Sequence, residues 1–121
     1  MSETKATLEV VGQRAAACPK WRWLAGMQAV VPAPHDGATG YHYRVTEGTG
    51  PINSKDAYPN FADPVTVGAL AYLVREATGK PHLFCSYRQG GFWGVADHDA
   101  YLSDFWVDEA AAWVEVLEDL R

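Results

Sequence analysis

The stretch that decides the fold of this 121-residue chain is Asp63-Pro64-Val65-Thr66-Val67-Gly68-Ala69-Leu70-Ala71-Tyr72-Leu73-Val74-Arg75-Glu76-Ala77-Thr78-Gly79. Asp63 can accept hydrogen bonds from the free amides of a first helical turn, and Pro64 suits the next position because it has no amide to satisfy. Apolar residues then recur every three or four positions: Val67, Leu70, Ala71, Val74 and Ala77, with Tyr72 and Leu73 widening the stripe. Gly79 suits the left-handed position that closes a helix, and Pro81 prevents continuation. The pattern predicts a mostly buried helix about 25 Å long, against which the rest of the chain packs.

Length, composition and charge bound the class of protein. With 121 residues, 48% of them hydrophobic, we expect residues 1–121 to form a single domain with a real core. The formal charge of −5 argues against binding to duplex nucleic acid by phosphate neutralisation. No run of eighteen apolar residues occurs, and charged residues interrupt the first twenty positions, so we expect a cytoplasmic protein without a membrane span or secretory signal. Cys18 and Cys85 lack the CxxC spacing of a metal site, and we expect both to be buried, reduced thiols.

The flanking segments predict two more helices and two hairpins. One helix is expected over residues 4–18, where Thr4, Leu8, Val11, Ala15 and Cys18 share a face, and another from about residue 107 to 120. Strands are expected over residues 26–31, 41–46, 82–87 and 92–96, the first pair joined by a segment rich in proline and glycine and the second by Gln89-Gly90-Gly91. Residues 47–62 are expected to be a surface loop and residues 97–105 irregular. The order helix, hairpin, helix, hairpin, helix predicts an α+β fold with an antiparallel sheet packed against helices.

Three segments of the chain resemble a family. They are Trp21-Arg22-Trp23-Leu24-Ala25-Gly26-Met27, then Tyr58-Pro59-Asn60-Phe61-Ala62-Asp63-Pro64-Val65-Thr66-Val67-Gly68-Ala69-Leu70 continuing to Leu73-Val74-Arg75-Glu76-Ala77, then Asp108-Glu109-Ala110-Ala111-Ala112-Trp113 with Leu117 and Glu118. Together they resemble a group of small uncharacterised bacteriophage and prophage proteins. In that group the middle segment reads Leu-Pro-Asp-Leu, a spacer, Asp-Pro-x-Thr-x-Gly, and a helix ending Leu-Val-Arg-Glu-Ala. This chain has Tyr58 and Phe61 in place of the leucines and Asn60 in place of the acid. The resemblance implies a phage origin and a compact domain, and it brings no functional residues because the group has no assigned activity.

Candidate catalytic residues are few. Asp97-His98-Asp99 puts an imidazole between two carboxylates, but neighbours in sequence point apart, and a metal ion would need a distant histidine, His35, His42 or His82. We therefore interpret the segment as a turn. His82 and Cys85 would lie about 10 Å apart on a strand, too far for nucleophilic catalysis. Gly48-Thr49-Gly50-Pro51 and Gln89-Gly90-Gly91 lack the features of a phosphate loop and are interpreted as turns, so no catalytic, cofactor-binding or metal-ligating residue is predicted.

The aromatic residues point instead to binding. Five tryptophans and six tyrosines exceed what a minimal core requires, and such side chains often anchor interfaces. If helices cover only one face of the sheet, aromatic residues on the open face form an interaction surface. We predict that surface to include Trp21, Trp23, Tyr41, Tyr43, Tyr87 and Trp93, with Phe92 as a further candidate.

Three functions fit these patterns. The first is a non-enzymatic phage-type accessory protein acting by protein association, either as a homodimer or as an inhibitor or modulator of a host system. The second is a small metal-dependent hydrolase using His98 and its neighbouring acids. The third is a binder of single-stranded nucleic acid, in which sheet aromatics stack on bases beside two arginines. Those residues are Tyr41, Tyr43, Phe84, Tyr87 and Trp93, with Arg44 and Arg88.

Overall fold

A computed structural model describes residues 2–32, 40–46 and 56–120, with residues 2–7 described by their backbone alone. The helices are α1 (Ser2–Ala16), α2 (Pro64–Thr78) and α3 (Glu109–Asp119). The strands are β1 (Gln28–Val31), β2 (Tyr41–Arg44), β3 (Tyr58–Pro59), β4 (Phe84–Arg88) and β5 (Phe92–Ala96). The predicted α+β class, with its alternation of helices and antiparallel strands, is confirmed. Within the described ranges, no helix has the length and apolar character needed to cross a bilayer.

The strands form two antiparallel sheets. In the first, β1 lies between β2 and β3, so that Val30 pairs with His42 on one side and with Tyr58 on the other. The second is the β4–β5 hairpin, in which Ser86 pairs with Gly94. Strand β3 arises within residues 47–62, which the sequence predicted to be loop, because two residues are too few to show a period of two. Residues 33–39, which include most of the predicted connection between β1 and β2, lie outside the described residues.

Helix α2 begins and ends where the sequence predicts. The Asp63 carboxylate accepts hydrogen bonds from the amide of Thr66 at 3.2 Å and from its hydroxyl at 2.7 Å. Gly79 adopts a left-handed conformation with φ of 69°, and its amide donates to Glu76. The prediction that Tyr72 widens the buried stripe is wrong, because its side chain is 55% exposed. Thr66 is buried instead, since its hydroxyl is satisfied by accepting a hydrogen bond from the amide of Gln28 at 2.8 Å.

A polar network joins α2 to the first sheet. Arg44 donates to the carbonyl of Gly26 at 2.8 Å and to the carboxylate of Asp63 at 2.7 Å. The amide of Asn60 donates to the carbonyl of Gln28 at 2.8 Å. Gly26, Asn60 and Asp63, which meet at this junction, belong to the first two of the three segments quoted in the sequence analysis. Their roles here are to cap α2 and to fix the path of the backbone.

Helix α3 lies at the centre of the fold. It packs against α1, α2, β4 and β5. Seven of its eleven residues are buried: Ala110, Ala111, Ala112, Trp113, Val114, Val116 and Leu117. The Trp113 indole donates to Glu109 at 3.1 Å, and the Arg75 guanidinium lies 5.3 Å from the ring centroid. The expectation that the chain packs around α2 is thus corrected, because α3 is the helix that packs against the largest number of other elements.

Candidate functional site

The β4–β5 hairpin has one face toward the core and one away from it. Successive side chains on a strand alternate between faces. Val95 is buried in the core, Trp93 packs against that core, and the Tyr87 ring lies 4.7 Å from the Trp93 ring. The register of the hairpin places the other set of residues on the outer face: Phe84, Ser86, Arg88, Phe92, Gly94 and Ala96.

Residues 101–106 return along β5 and cover part of the outer face. Two hydrogen bonds join the backbones of Trp93 and Trp106, at 2.7 and 2.8 Å. A Cβ atom on Gly94 would lie 2.9 Å from the ring of Phe105 and 3.1 Å from that of Tyr101, so a glycine is required for both rings to lie on the strand. The two rings contact each other edge to face, with centroids 4.9 Å apart.

Arg88 lies among these rings. Its guanidinium donates to the Tyr101 hydroxyl at 3.1 Å and lies 5.7 Å from the Tyr101 ring centroid and 5.2 Å from that of Phe105. Hydrogen bonds from Arg88 and then from Ser86 lower the pKa of Tyr101 below its usual value. The hydrogen bond to Tyr101 and the contacts with the two rings favour one position of the Arg88 side chain. Its positive charge therefore lies at this face.

Four rings on this face are partly accessible to solvent. The exposed fractions are 44% for Phe84, 42% for Phe92, 39% for Tyr101 and 45% for Phe105. We call these four residues and Arg88 the outer aromatic face. Aromatic side chains left in water in a group of this kind are typical of a surface that another molecule covers.

The six residues predicted to form one surface lie in three places. Tyr41 and Tyr43 are on β2 in the first sheet, and Tyr87 and Trp93 are on the core-facing side of the hairpin in the second, where Tyr87 is nevertheless 61% exposed. Trp21 and Trp23 precede β1, with ring centroids 5.3 Å apart. Their distribution follows from the two sheets and from the register of the hairpin. Tyr101 and Phe105 belong to a segment without periodicity, so no sequence pattern indicated the face they occupy.

Asp97-His98-Asp99 forms the turn that the sequence predicted. One carboxylate oxygen of Asp97 accepts hydrogen bonds from the amides of Asp99 at 2.8 Å and Ala100 at 2.9 Å, and the other is 3.2 Å from the ammonium of Lys80. These backbone hydrogen bonds, followed by the one from Lys80, lower the pKa of Asp97 to about 2.

The structure does bring two histidines together. The rings of His82 and His98 have centroids 5.7 Å apart, although the sequence separates them widely. Across residues 2–32, 40–46 and 56–120, no three His, Cys, Asp or Glu side chains are arranged to hold a metal ion. His42 is exposed on β2, and His35 and Gly48-Thr49-Gly50-Pro51 lie outside the described residues.

The two cysteines are free thiols, as predicted. Cys18 is buried, and its thiol donates to the carbonyl of Arg14 at 3.4 Å. The expectation that Cys85 is also buried is corrected, because Cys85 is only half-buried. Burial, followed by the charge of Glu109, still raises its pKa to about 12. A thiol with this pKa is almost entirely protonated at neutral pH and is a poor nucleophile. Gln89-Gly90-Gly91 is the predicted turn, with φ of 102° at Gly90 and 89° at Gly91.

The fold and this surface define an α+β protein with an accessible aromatic face. No protein-family model, curated protein or solved structure matches the chain. The outer aromatic face offers exposed rings and one guanidinium that contacts two of them.

Proposed function

We propose that this protein is a non-enzymatic accessory protein that acts by binding a different protein through the outer aromatic face. The observation that supports the proposal is the set of four rings on one face of the β4–β5 hairpin, each about two-fifths exposed, with Arg88 against two of them. Aromatic side chains supply a large contact area at a low cost in conformational entropy, and they dominate binding energy at many interfaces together with arginine.

Charge indicates the chemistry of the partner. The chain carries a formal charge of −5, while the charge on the outer aromatic face is the positive one of Arg88. A twofold dimer through this face would bring two copies of the same positive charge into one interface. A partner with an apolar patch and a carboxylate avoids that repulsion, since arginine and carboxylate pair through two parallel hydrogen bonds. If that partner belongs to a host cell, the protein acts as an inhibitor or modulator of it.

Single-stranded nucleic acid is the competing ligand for this face. Bases stack on exposed rings, and arginine beside them contacts phosphate. The net negative charge opposes such binding, and the face provides a single guanidinium for the strand. A protein partner therefore fits this face better.

The test removes two of the four rings without disturbing the core. The double variant Phe84→Ser, Phe92→Ser changes two exposed strand residues, and Tyr72→Ser on α2 removes an aromatic residue of similar exposure elsewhere. We expect the wild type and Tyr72→Ser to bind the same purified partner with equal affinity. The double variant should bind at least about tenfold more weakly, because truncating an aromatic hot spot of an interface costs about 2 kcal/mol or more.

Three results would contradict the proposal. A partner that binds the double variant as tightly as the wild type shows that another surface is used. Self-association that sedimentation detects in the wild type and not in the double variant identifies a second copy as the occupant. Binding of an oligonucleotide that weakens with salt and with Arg88→Ala identifies the nucleic-acid alternative.

A further inference from the structure

Two histidines lie together at the open end of the β4–β5 hairpin, away from its turn. Phe84 pairs with Ala96, and His82 and His98 are each two residues beyond this pair. The hairpin therefore brings the two histidines opposite each other, with ring centroids 5.7 Å apart and ring planes inclined at 45°. Both side chains are exposed to solvent. Because strand pairing creates this arrangement, a search of the sequence for metal-type spacing does not detect it.

Hydrogen bonds fix the backbone around both histidines. The Asp97 carboxylate accepts hydrogen bonds from two backbone amides, at 2.8 and 2.9 Å, and closes the turn that contains His98. The amide of Leu83 donates to the carbonyl of Lys80 at 3.3 Å and closes a second turn, which contains His82. The ammonium of Lys80 lies 3.2 Å from the carboxylate of Asp97 and joins the two turns. The two imidazoles are thus attached to an ordered backbone before a ligand binds, which lowers the entropic cost of binding.

The imidazole nitrogens are available as ligands. Within the part of the chain that the structure describes, neither ring has a hydrogen-bond partner. A neutral imidazole offers one nitrogen lone pair to a metal ion. The charged residues nearest in sequence are Lys80, Asp97 and Asp99, two acids and one base with a net charge of −1, so they do not repel a cation.

We propose that His82 and His98 form a two-histidine site for one divalent transition-metal ion, which binds Cu²⁺ more tightly than Ni²⁺ or Zn²⁺. Imidazole is a ligand of all three ions, and the affinity of nitrogen sites for them is highest for Cu²⁺. An ion about 2.1 Å from one nitrogen of each ring would hold the ring centroids roughly 5–6 Å apart, in agreement with the separation in the structure.

The remaining coordination positions of the ion are open. Across the described residues, no third His, Cys, Asp or Glu side chain completes a metal-binding group with the pair. Water, or a ligand group of another molecule, would occupy these positions. The site shares no residue with the outer aromatic face, so it can be tested independently of the proposed function.

The experiment titrates Cu²⁺ into the isotope-labelled full chain and follows the amide signals by NMR, because this paramagnetic ion broadens the signals of residues close to it. We expect the signals of Leu83, Ala96 and Asp99 to broaden first, below one equivalent of Cu²⁺. Equilibrium dialysis then measures the affinity of the wild type and of His82→Ala and His98→Ala. Each variant should bind Cu²⁺ at least about tenfold more weakly, because even the loss of a group that orients a metal ligand costs about 10–100-fold.

The matched control is His42→Ala, which removes an exposed histidine from β2 and should change neither the affinity nor the broadening. Mg²⁺ at millimolar concentration should not compete, since it prefers oxygen ligands. The double variant His82→Ala, His98→Ala should bind about as weakly as either single variant, because one imidazole alone cannot chelate the ion.

Four results would overturn the proposal. The first is broadening that begins outside the open end of the hairpin. The second is wild-type affinity in either single variant. The third is a halved stoichiometry with unchanged affinity in each single variant, which identifies two separate one-histidine sites. The fourth is displacement of Cu²⁺ by Mg²⁺, which identifies a carboxylate site.

Discussion

Two glycines inside helices have different reasons to be glycine. A Cβ atom on Gly12 in α1 would lie 2.5 Å from the carbonyl oxygen of Pro59, so the residue allows β3 to pack against the helix. Gly68 in α2 faces open space. From the sequence both look alike, because each is a glycine within a helical pattern. The difference appears only when the neighbouring chain is placed.

We expect opposite effects from alanine at these two positions. Gly68→Ala should raise the free energy of unfolding by up to about 1 kcal/mol, because alanine is the better helix former and nothing opposes its methyl group. Gly12→Ala should lower it by about 1–3 kcal/mol, because Pro59 has to move. Urea denaturation of both variants measures these changes. A destabilised Gly68→Ala would show that a neighbouring group lies closer to this position than described.

At the scale of elements, the starts of α2 and α3 differ although each follows an aspartate. Burial alone would raise the pKa of Asp63, but the hydrogen bonds from Arg44 and Thr66 outweigh it and hold the pKa below its usual value. The pKa of Asp108 is raised by burial. Asp63 therefore contributes stability above its unfolded pKa of about 3.9, and this contribution is lost as the pH falls through the lower folded value. Asp108 behaves in the opposite way, since the fold favours its protonated form.

Substitutions at the two caps should follow these signs. At pH 7, Asp63→Ala should lower the free energy of unfolding by about 1–2 kcal/mol, because the cap and the contact with Arg44 are lost together. Asp108→Asn should be at least as stable as the wild type at pH 7, and its difference from the wild type should vanish below pH 4. Urea denaturation at pH 7 and pH 3 tests both statements. Equal losses in the two variants at pH 7 would contradict the described caps.

The elements also show which features of the fold could be predicted from the sequence. Asp63-Pro64 and Gly79 defined the ends of α2, because caps are encoded locally. Strand β5 was predicted at its observed bounds, Phe92–Ala96, since a glycine turn precedes it. The assignment of the two hairpins to separate sheets was not predictable, because local patterns do not specify which strands pair. For the same reason, the abundance of aromatic residues indicated a binding surface but not the residues that form it.

At the scale of the whole molecule, the choice of central element depends on long-range packing. Helices α2 and α3 both carry apolar stripes, and the longer and more distinctly capped α2 was the natural prediction. In the structure, α1, α2, β4 and β5 pack around α3 instead. The three successive alanines of α3 let these neighbouring elements approach its backbone closely. Trp113 on α3 is 1% exposed and is the largest fully buried side chain among the described residues.

Trp113→Ala should therefore be the most damaging of the substitutions considered. We expect it to lower the free energy of unfolding by about 3–5 kcal/mol, because it removes a large buried ring and leaves a cavity between α3 and its neighbours. That loss is a large part of the total stability of a domain this size, about 5–15 kcal/mol. Tyr72→Ala on the exposed side of α2 should change it by less than about 0.5 kcal/mol. Guanidinium denaturation compares the two, with Leu70→Ala as the matched core variant on α2. If Trp113→Ala costs no more than Tyr72→Ala while Leu70→Ala unfolds the protein, then α2 is the centre that the sequence predicted.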